Sequence, residues 1–164
     1  MPDNPDEWEI PAANRPKAGD FAFDLDTTLS AVFALRSEIP EDAFTAQVLG
    51  TERMGNGVLI RADGLVLTIG YLIAEAETVW LLSNDGDAIP AHVVAYDHNT
   101  GFGLVQALAK ITAPPVPLGN SHSAGMGDPV IMAGHGGQRH ALSAWIAAKR
   151  EFAGYWEYLL DEAI

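Results

Sequence analysis

The sequence predicts an all-β chain whose short antiparallel strands close into a barrel or stack as a sandwich. Two hairpins stand in its middle, each with β-forming residues on both sides of an Asp-Gly pair. Strand-like runs recur at short spacing from residue 58 to residue 107. The 16 glycines and 10 prolines among 164 residues favour short strands and turns over long helices.

The elements follow in order. Residues 1–20 carry four prolines and five acidic groups and are expected to form a disordered acidic tail. Phe21 to Leu29 mixes apolar and acidic residues and predicts a short helical turn. Leu29 to Leu35 suits either strand or helix by periodicity alone. Val58-Leu59-Ile60 and Leu65-Val66-Leu67-Thr68 flank Ala62-Asp63-Gly64, the first hairpin. Thr78–Leu82 and Ile89–Tyr96 flank Asn84-Asp85-Gly86, the second. Phe102–Ala107 is a further strand. Pro114-Pro115-Val116-Pro117 reads as an extended linker, because proline has no N–H to offer a central strand. Beyond it, Pro129–Ala133 is a strand. His140–Ala148 is another, although its alanines also suit a helix. Tyr155–Leu160 is a third.

Composition bounds the function. The chain is 48% hydrophobic and 19% charged, with a length suited to one domain. The formal net charge of −13, from 22 acidic against 9 basic residues, argues against nucleic acid and anionic membrane as partners, since both need a basic footprint. No apolar run reaches the ~18 residues of a spanning helix. With no cysteine there are no disulfides, thiol nucleophiles or thiolate zinc sites. Met1 to Glu7 lacks the basic and apolar regions of a secretory signal, so a cytoplasmic location is expected, or a periplasmic one if a signal has been removed.

The histidines His92, His98, His122, His135 and His140 form no His-x3-His or His-Glu-x-x-His unit, so neither a metal nor a cofactor is expected. His135 reads as an exposed loop residue. Ser121 and Ser123 flank His122 without the Gly-x-Ser-x-Gly elbow of a nucleophile. Gly136-Gly137 makes a weak anion cradle, since no helix start follows. Trp80, Trp145, Trp156 and Tyr158 read as barrel packing rather than ligand stacking.

Gly55-Asn56-Gly57-Val58-Leu59-Ile60, the turn at Asp63-Gly64 and the strand ending Leu67-Thr68 together resemble the HtrA/DegP group of trypsin-like serine proteases. That family writes Gly-Ser-Gly-Val-Ile-Ile, an Asp-Gly turn, then Leu-Thr-Asn. Further on, Ala91-His92-Val93-Val94-Ala95-Tyr96-Asp97 and Thr100-Gly101-Phe102-Gly103-Leu104 are similar to the family's Ala-x-Val-Val-x-x-Asp and Thr-Asp-Leu-Ala-Leu. Pro117-Leu118-Gly119-Asn120-Ser121 and Gly127-Asp128-Pro129-Val130 look like its Pro-Leu-Gly-x-Ser and Gly-Asp-x-Val. Leu142-Ser143-Ala144 and Asp161-Glu162-Ala163-Ile164 sit where it has Val-Ser-Ala and Thr-Asp-Ala-Ala-Ile.

The resemblance covers about Ser30 to Ile164. It implies a trypsin-like double antiparallel β-barrel: a first barrel over 21–113, nearly complete, and a partial second barrel over 114–164. It also implies where a catalytic triad would stand. The position of the family's general-base histidine holds Tyr71, and that of its orienting aspartate holds Gly101. Phenols ionise near pH 10 and imidazoles near 6.5, so tyrosine is a poor base at neutral pH. Glycine offers no carboxylate to fix a histidine tautomer. In the family the Gly-Asn-Ser-Gly-Gly nucleophile loop follows the stretch matched by Asp161–Ile164 within a few residues, so this chain is expected to stop before it.

Three functional readings follow. The first is a non-catalytic binding or regulatory module, taking a protein or peptide partner by strand pairing. The second is the N-terminal part of a serine endopeptidase whose serine lies on a missing segment. The third is the product of an interrupted gene. An unclosed second barrel predicts self-association.

Overall fold

The computed structural model describes residues 8–154 and 159–164. Its centre is a six-stranded closed barrel, and the sequence pattern explains the closure. β1 (Val32–Glu38), β2 (Glu52–Leu59), β3 (Leu65–Ile69), β4 (Thr78–Leu82), β5 (Ala88–Tyr96) and β6 (Phe102–Ala107) pair in the order β1-β2-β3-β6-β5-β4. All contacts are antiparallel, and β4 returns to β1 from Ala34↔Leu82 to Glu38↔Thr78. No barrel strand is left with a free edge, which removes the pairing hazard of an open sheet. Both expected hairpins form, with Gly64 (φ +94) and Gly86 (φ +90) supplying left-handed turn residues. The ambiguous stretch at Leu29–Leu35 becomes strand from Val32 onward.

Alternation fills the barrel. Phe33, Leu35, Leu59, Val66, Val79, Leu81, Ile89 and Val105 are buried in one cluster. Trp80 lies between Val79 and Leu81 on β4, so the period of two turns it outward and it is 39% exposed. Trp145 is likewise a surface residue, 71% exposed at the end of β8 (Ala141–Trp145), while the next residue, Ile146, turns in. Neither tryptophan packs the barrel interior as expected. Trp156 and Tyr158 lie outside the described residues.

Before the barrel, α1 (Leu25–Leu29) is the expected helical turn, its first turn capped by Asp24 accepting from the Thr27 N–H at 2.8 Å. Its Leu25 and Leu29 are buried against Ala141, with Ile131 and Ala133 alongside. A second short helix, α2 (Ala46–Leu49), lies between β1 and β2.

The tail expected over 1–20 divides differently. Residues 1–7 lie outside the described residues. Residues 8–20 are seated on the chain: Ile10 N–H donates to Arg139 O at 2.8 Å, and Glu9 bridges Arg15 (2.7 Å) and Arg139 (3.1 Å). Trp8 meets the His140 ring edge-on. Proline content and acidic composition predicted disorder, but here the acidic Glu9 has two arginines to pair with.

After the barrel, the 114–117 segment is extended but does not hang free. Val116 N–H donates to Leu59 O at 2.9 Å, and Ile111, Ala113 and Val116 pack on the barrel core. The C-terminal third holds β7 (Pro129–Ala133) paired with β8, and β9 (Arg150–Ala153) paired with β10 (Leu159–Ala163). Of the strand expected at Tyr155–Leu160, residues 155–158 lie outside the described residues, and Leu159 and Leu160 are strand within β10. β9 was not expected, because all four of its residues are exposed and give no hydrophobic alternation. Among the described residues these two pairs remain separate sheets. Among the described apolar side chains of this third, Ala141 and Ile146 are buried; Met132 (66%) and Leu159 (51%) are exposed, and Val130 and Leu160 are half-buried.

The barrel interior should dominate stability. Phe33→Ala, at a 1% exposed position, should cost about 3–5 kcal/mol. Urea unfolding monitored by far-UV circular dichroism measures it, and a loss below about 1 kcal/mol would contradict this packing.

Candidate functional site

β3 ends at Ile69 and the chain turns at once into a 3₁₀ turn, Gly70–Leu72. Two bare glycines let this turn settle against β6. A Cβ on Gly70 would stand 2.0 Å from the Tyr96 ring, and one on Gly103 would stand 2.6 Å from Ile73 and 3.1 Å from Gly70 Cα. Gly70 N–H then donates to Gly101 O at 2.7 Å. The fold therefore brings the Tyr71 turn and Gly101 together, the two positions singled out in the sequence.

They open on a cleft of about 460 Å³ that also involves Gly55, Thr68, Thr100 and Leu160. Among the described residues its lining contains a phenol and two threonine hydroxyls, but no carboxylate, imidazole or serine. Gly101 has φ +75 in the tight turn between β5 and β6. Asp97 stands at the start of that turn, but its carboxylate is engaged there. It accepts from Thr100 Oγ1 (2.7 Å) and Asn99 N–H (3.0 Å), and these bonds hold its pKa below the ordinary value. The hydroxyl of Thr68 is likewise occupied, donating to Asn56 O at 2.8 Å.

The other side of the Tyr71 turn rests on Arg53, a β2 residue only 4% exposed. Its guanidinium donates to the carbonyls of Tyr71 (2.6 Å), Ala74 (3.1 Å) and Gly50 (3.3 Å) and to Thr45 Oγ1 (2.8 Å). Burial pushes its pKa down, and the nearby Glu75 charge opposes that. The Ser37 hydroxyl closes the set by donating to Leu72 O. Glu75 accepts from Thr45 Oγ1 (2.6 Å), Thr45 N–H (2.7 Å) and Phe44 N–H (3.0 Å). The Thr45 hydroxyl and amide hold the Glu75 carboxyl below its ordinary range. Sequence reading missed this clamp. Its signal was present: Arg53 shares the inward phase of Gly57 and Leu59 on β2, where a charge has no ordinary place.

The remaining candidates lie elsewhere. His135 is half-buried rather than exposed, its Nε2 3.0 Å from Ser83 O and its N–H bonded to Asn56 Oδ1 at 2.9 Å. Gly136 N–H donates to Asn84 Oδ1 at 2.7 Å, so an anion there would have to displace a side chain. His122 Nδ1 lies 3.4 Å from Glu162, which also pairs with Lys149, while Ser123 Oγ donates to Asn120 O. His92 and His98 are exposed on the barrel. Leu159 N–H donates to Asn99 O at 3.1 Å, anchoring β10 beside the cleft that Leu160 helps to line.

Comparison with known proteins bears on this geometry. The family described as trypsin-like peptidase domain matches residues 55–160, which include the whole turn and cleft wall from Gly55 to Gly101. The chain belongs to the HtrA-type trypsin-like protease family. A probable periplasmic serine endoprotease DegP-like of Pseudomonas putida is 30% identical over 83 residues, 51% of this chain and 17% of that protein. The mitochondrial serine protease HTRA2 of Bos taurus is 30% identical over 80 residues, 49% of this chain and 18% of that protein. The chain thus spans about a sixth of the length of these relatives. Among solved structures, the HtrA-type protease AlgW with a tripeptide superposes with a TM-score of 0.61 at 22% identity, covering 76% of this chain and 38% of that one. The Rv3671c protease in an inactive form gives 0.58 at 23%, covering 88% and 65%. The expected trypsin-like β-barrel fold is therefore correct.

Within this HtrA-type fold the Tyr71 turn depends on the Arg53 and Glu75 bonds, and both are testable. Arg53→Met should cost about 3 kcal/mol, because it strips donors from buried carbonyls; equal thermal stability of variant and parent would refute the clamp. Because the Glu75 pKa is lowered on folding, its contribution is present above the ordinary 4.5 and fades as pH falls through the lower folded value. Glu75→Gln should therefore destabilise at about pH 7, and the difference should shrink progressively as pH falls below the ordinary 4.5. Urea midpoints over this range read this out.

Proposed function

We propose that this chain is a non-catalytic HtrA-type module that binds protein segments, with Tyr71 and Gly101 in the positions of the family's histidine and aspartate. One observation carries the reading: the cleft beside these residues is lined without imidazole, carboxylate or serine among the described residues. A triad mechanism needs a base near neutral pKa and an acid to orient it. Where Tyr71 and Gly101 stand, neither is supplied.

The same reading assigns the chain a first barrel over 21–113 and a partial second barrel over 114–164, preceded by a segment over 1–20 whose residues 8–20 lie against the fold. Strand pairing with the two-stranded sheets β7-β8 and β9-β10 is the route by which it takes a peptide or a second copy. That AlgW is described with a tripeptide supports a peptide ligand. The periplasmic DegP-like relatives support a periplasmic rather than a cytoplasmic site of action.

A second reading follows from the chain spanning about a sixth of its curated relatives. In that reading a serine beyond the chain completes an endopeptidase. Such a serine would still face Tyr71 and Gly101, and losing the histidine alone costs a comparable triad enzyme about 10⁶ in turnover.

The chain should neither hydrolyse casein nor accept a fluorophosphonate label. Labelling that survives repurification would overturn the non-catalytic reading. Tyr71→His with Gly101→Asp should remain inactive as well, since no nucleophile is restored; peptide-ester hydrolysis above buffer rates would point to Ser121 or Ser123. Light scattering should report species larger than a monomer. A strictly monomeric chain would remove self-association from the proposal.

A further inference from the structure

Single apolar residues are common on protein surfaces and need no explanation. Phe44 and Val48 differ, because they stand 91% and 70% exposed one turn apart on the segment that carries α2. With Leu49, Tyr71, Tyr96 and His98 they line a dimple of about 390 Å³. Tyr71 is the wall this dimple shares with the cleft. On the opposite rim the Tyr96 and His98 rings lie against each other, centroids 4.0 Å apart.

The dimple is held in place at a cost. Glu75 is the only non-glycine residue with positive φ among the described residues, at +60. A left-handed conformation of this kind costs about 1–2 kcal/mol. It goes with a carboxylate bonded to the amides of Phe44 and Thr45 and to the Thr45 hydroxyl. The buried Arg53 adds its bond to the same hydroxyl. Strain persists where the surroundings over-determine it, and it collects at binding sites and switches. Here it fixes a segment that presents two large apolar side chains to solvent, which an unrestrained loop has no reason to do.

Charge names the occupant. The three segments that carry the dimple, 41–49, 71–77 and 96–98, contain Glu41, Asp42, Glu75, Glu77 and Asp97, all exposed, and no exposed lysine or arginine. A second copy of a chain with net charge −13 would meet like charge there. We propose that the dimple docks a basic protein segment, which inserts one apolar side chain beside Phe44, Val48 and Tyr71 and sets its lysines or arginines against the surrounding carboxylates. The site is independent of whether the Tyr71 turn has any catalytic role, so loss of either conclusion leaves the other standing.

The test uses the full chain and three fluorescein-labelled peptides: Lys-Lys-Leu-Phe-Lys-Lys, the same with glutamates for the lysines, and the same with serines for Leu-Phe. Anisotropy should show binding of the first alone, weakening as salt rises. Phe44→Ser and Val48→Ser change exposed side chains and should leave the melting temperature intact while weakening binding about tenfold each. Comparable binding of the serine peptide would reduce the effect to bulk charge and overturn the site. So would binding of the glutamate peptide, full affinity in both variants, or no binding by any peptide. A dimer of the chain that Phe44→Ser dissolves would make the occupant a second copy and overturn the basic partner.

Discussion

The buried guanidinium of Arg53 is the interaction on which the arrangement around the cleft depends. Among the described residues it is the one charged side chain taken fully out of solvent. Removing a charge from water is costly unless its hydrogen bonds are replaced. Here backbone oxygens take most of its hydrogen bonds, while the Glu75 carboxylate, bonded to Thr45 and not to the guanidinium, adds its opposite charge nearby. The bonds join both ends of α2, at Thr45 and Gly50, to the turn carrying Tyr71 and Ala74. The barrel alone would leave these stretches to wander. The arginine makes them one body, and it fixes the common wall of the cleft and the dimple.

Much of the barrel was legible in the sequence because its signals are local. Asp63-Gly64 and Asp85-Gly86 state their turns, and the runs beside them state strands. Closure pairs β1 with β4 across 40 to 48 positions, from Glu38↔Thr78 to Ala34↔Leu82, and only the family resemblance implied it. The outward facing of Trp80 was also readable in principle, from its place between Val79 and Leu81; weighing residue type over phase led to the wrong side. β9 could not be read, since a strand with all four residues exposed has no hydrophobic period. The seating of residues 8–20 was hidden for another reason: Glu9 meets Arg139 across 130 positions, and composition cannot see a partner that distant.

The site was legible in one respect. Motif spacing set against the family resemblance singled out Tyr71 and Gly101, and the fold joins their neighbourhoods by one backbone hydrogen bond from Gly70. What spacing could not show is how tightly that neighbourhood is built. Gly70, Gly103 and the Tyr96 ring fit with no room for an added methyl. Side chains that carry chemistry can change on such a frame while the frame persists, so fold and activity are separate questions here.

The connector at 114–117 bears on a different matter, exchange of parts between copies. Domain swapping needs a hinge that can swing out and let one portion of a chain dock on another molecule. Here the hinge is fastened. Val116 is hydrogen-bonded to Leu59, and Ile111 and Ala113 lie on the barrel core. Opening it would uncover that core before any new contact formed. If copies of this chain pair by their strands, as proposed, each C-terminal third would therefore stay on its own barrel, and dilution should separate the copies without unfolding either.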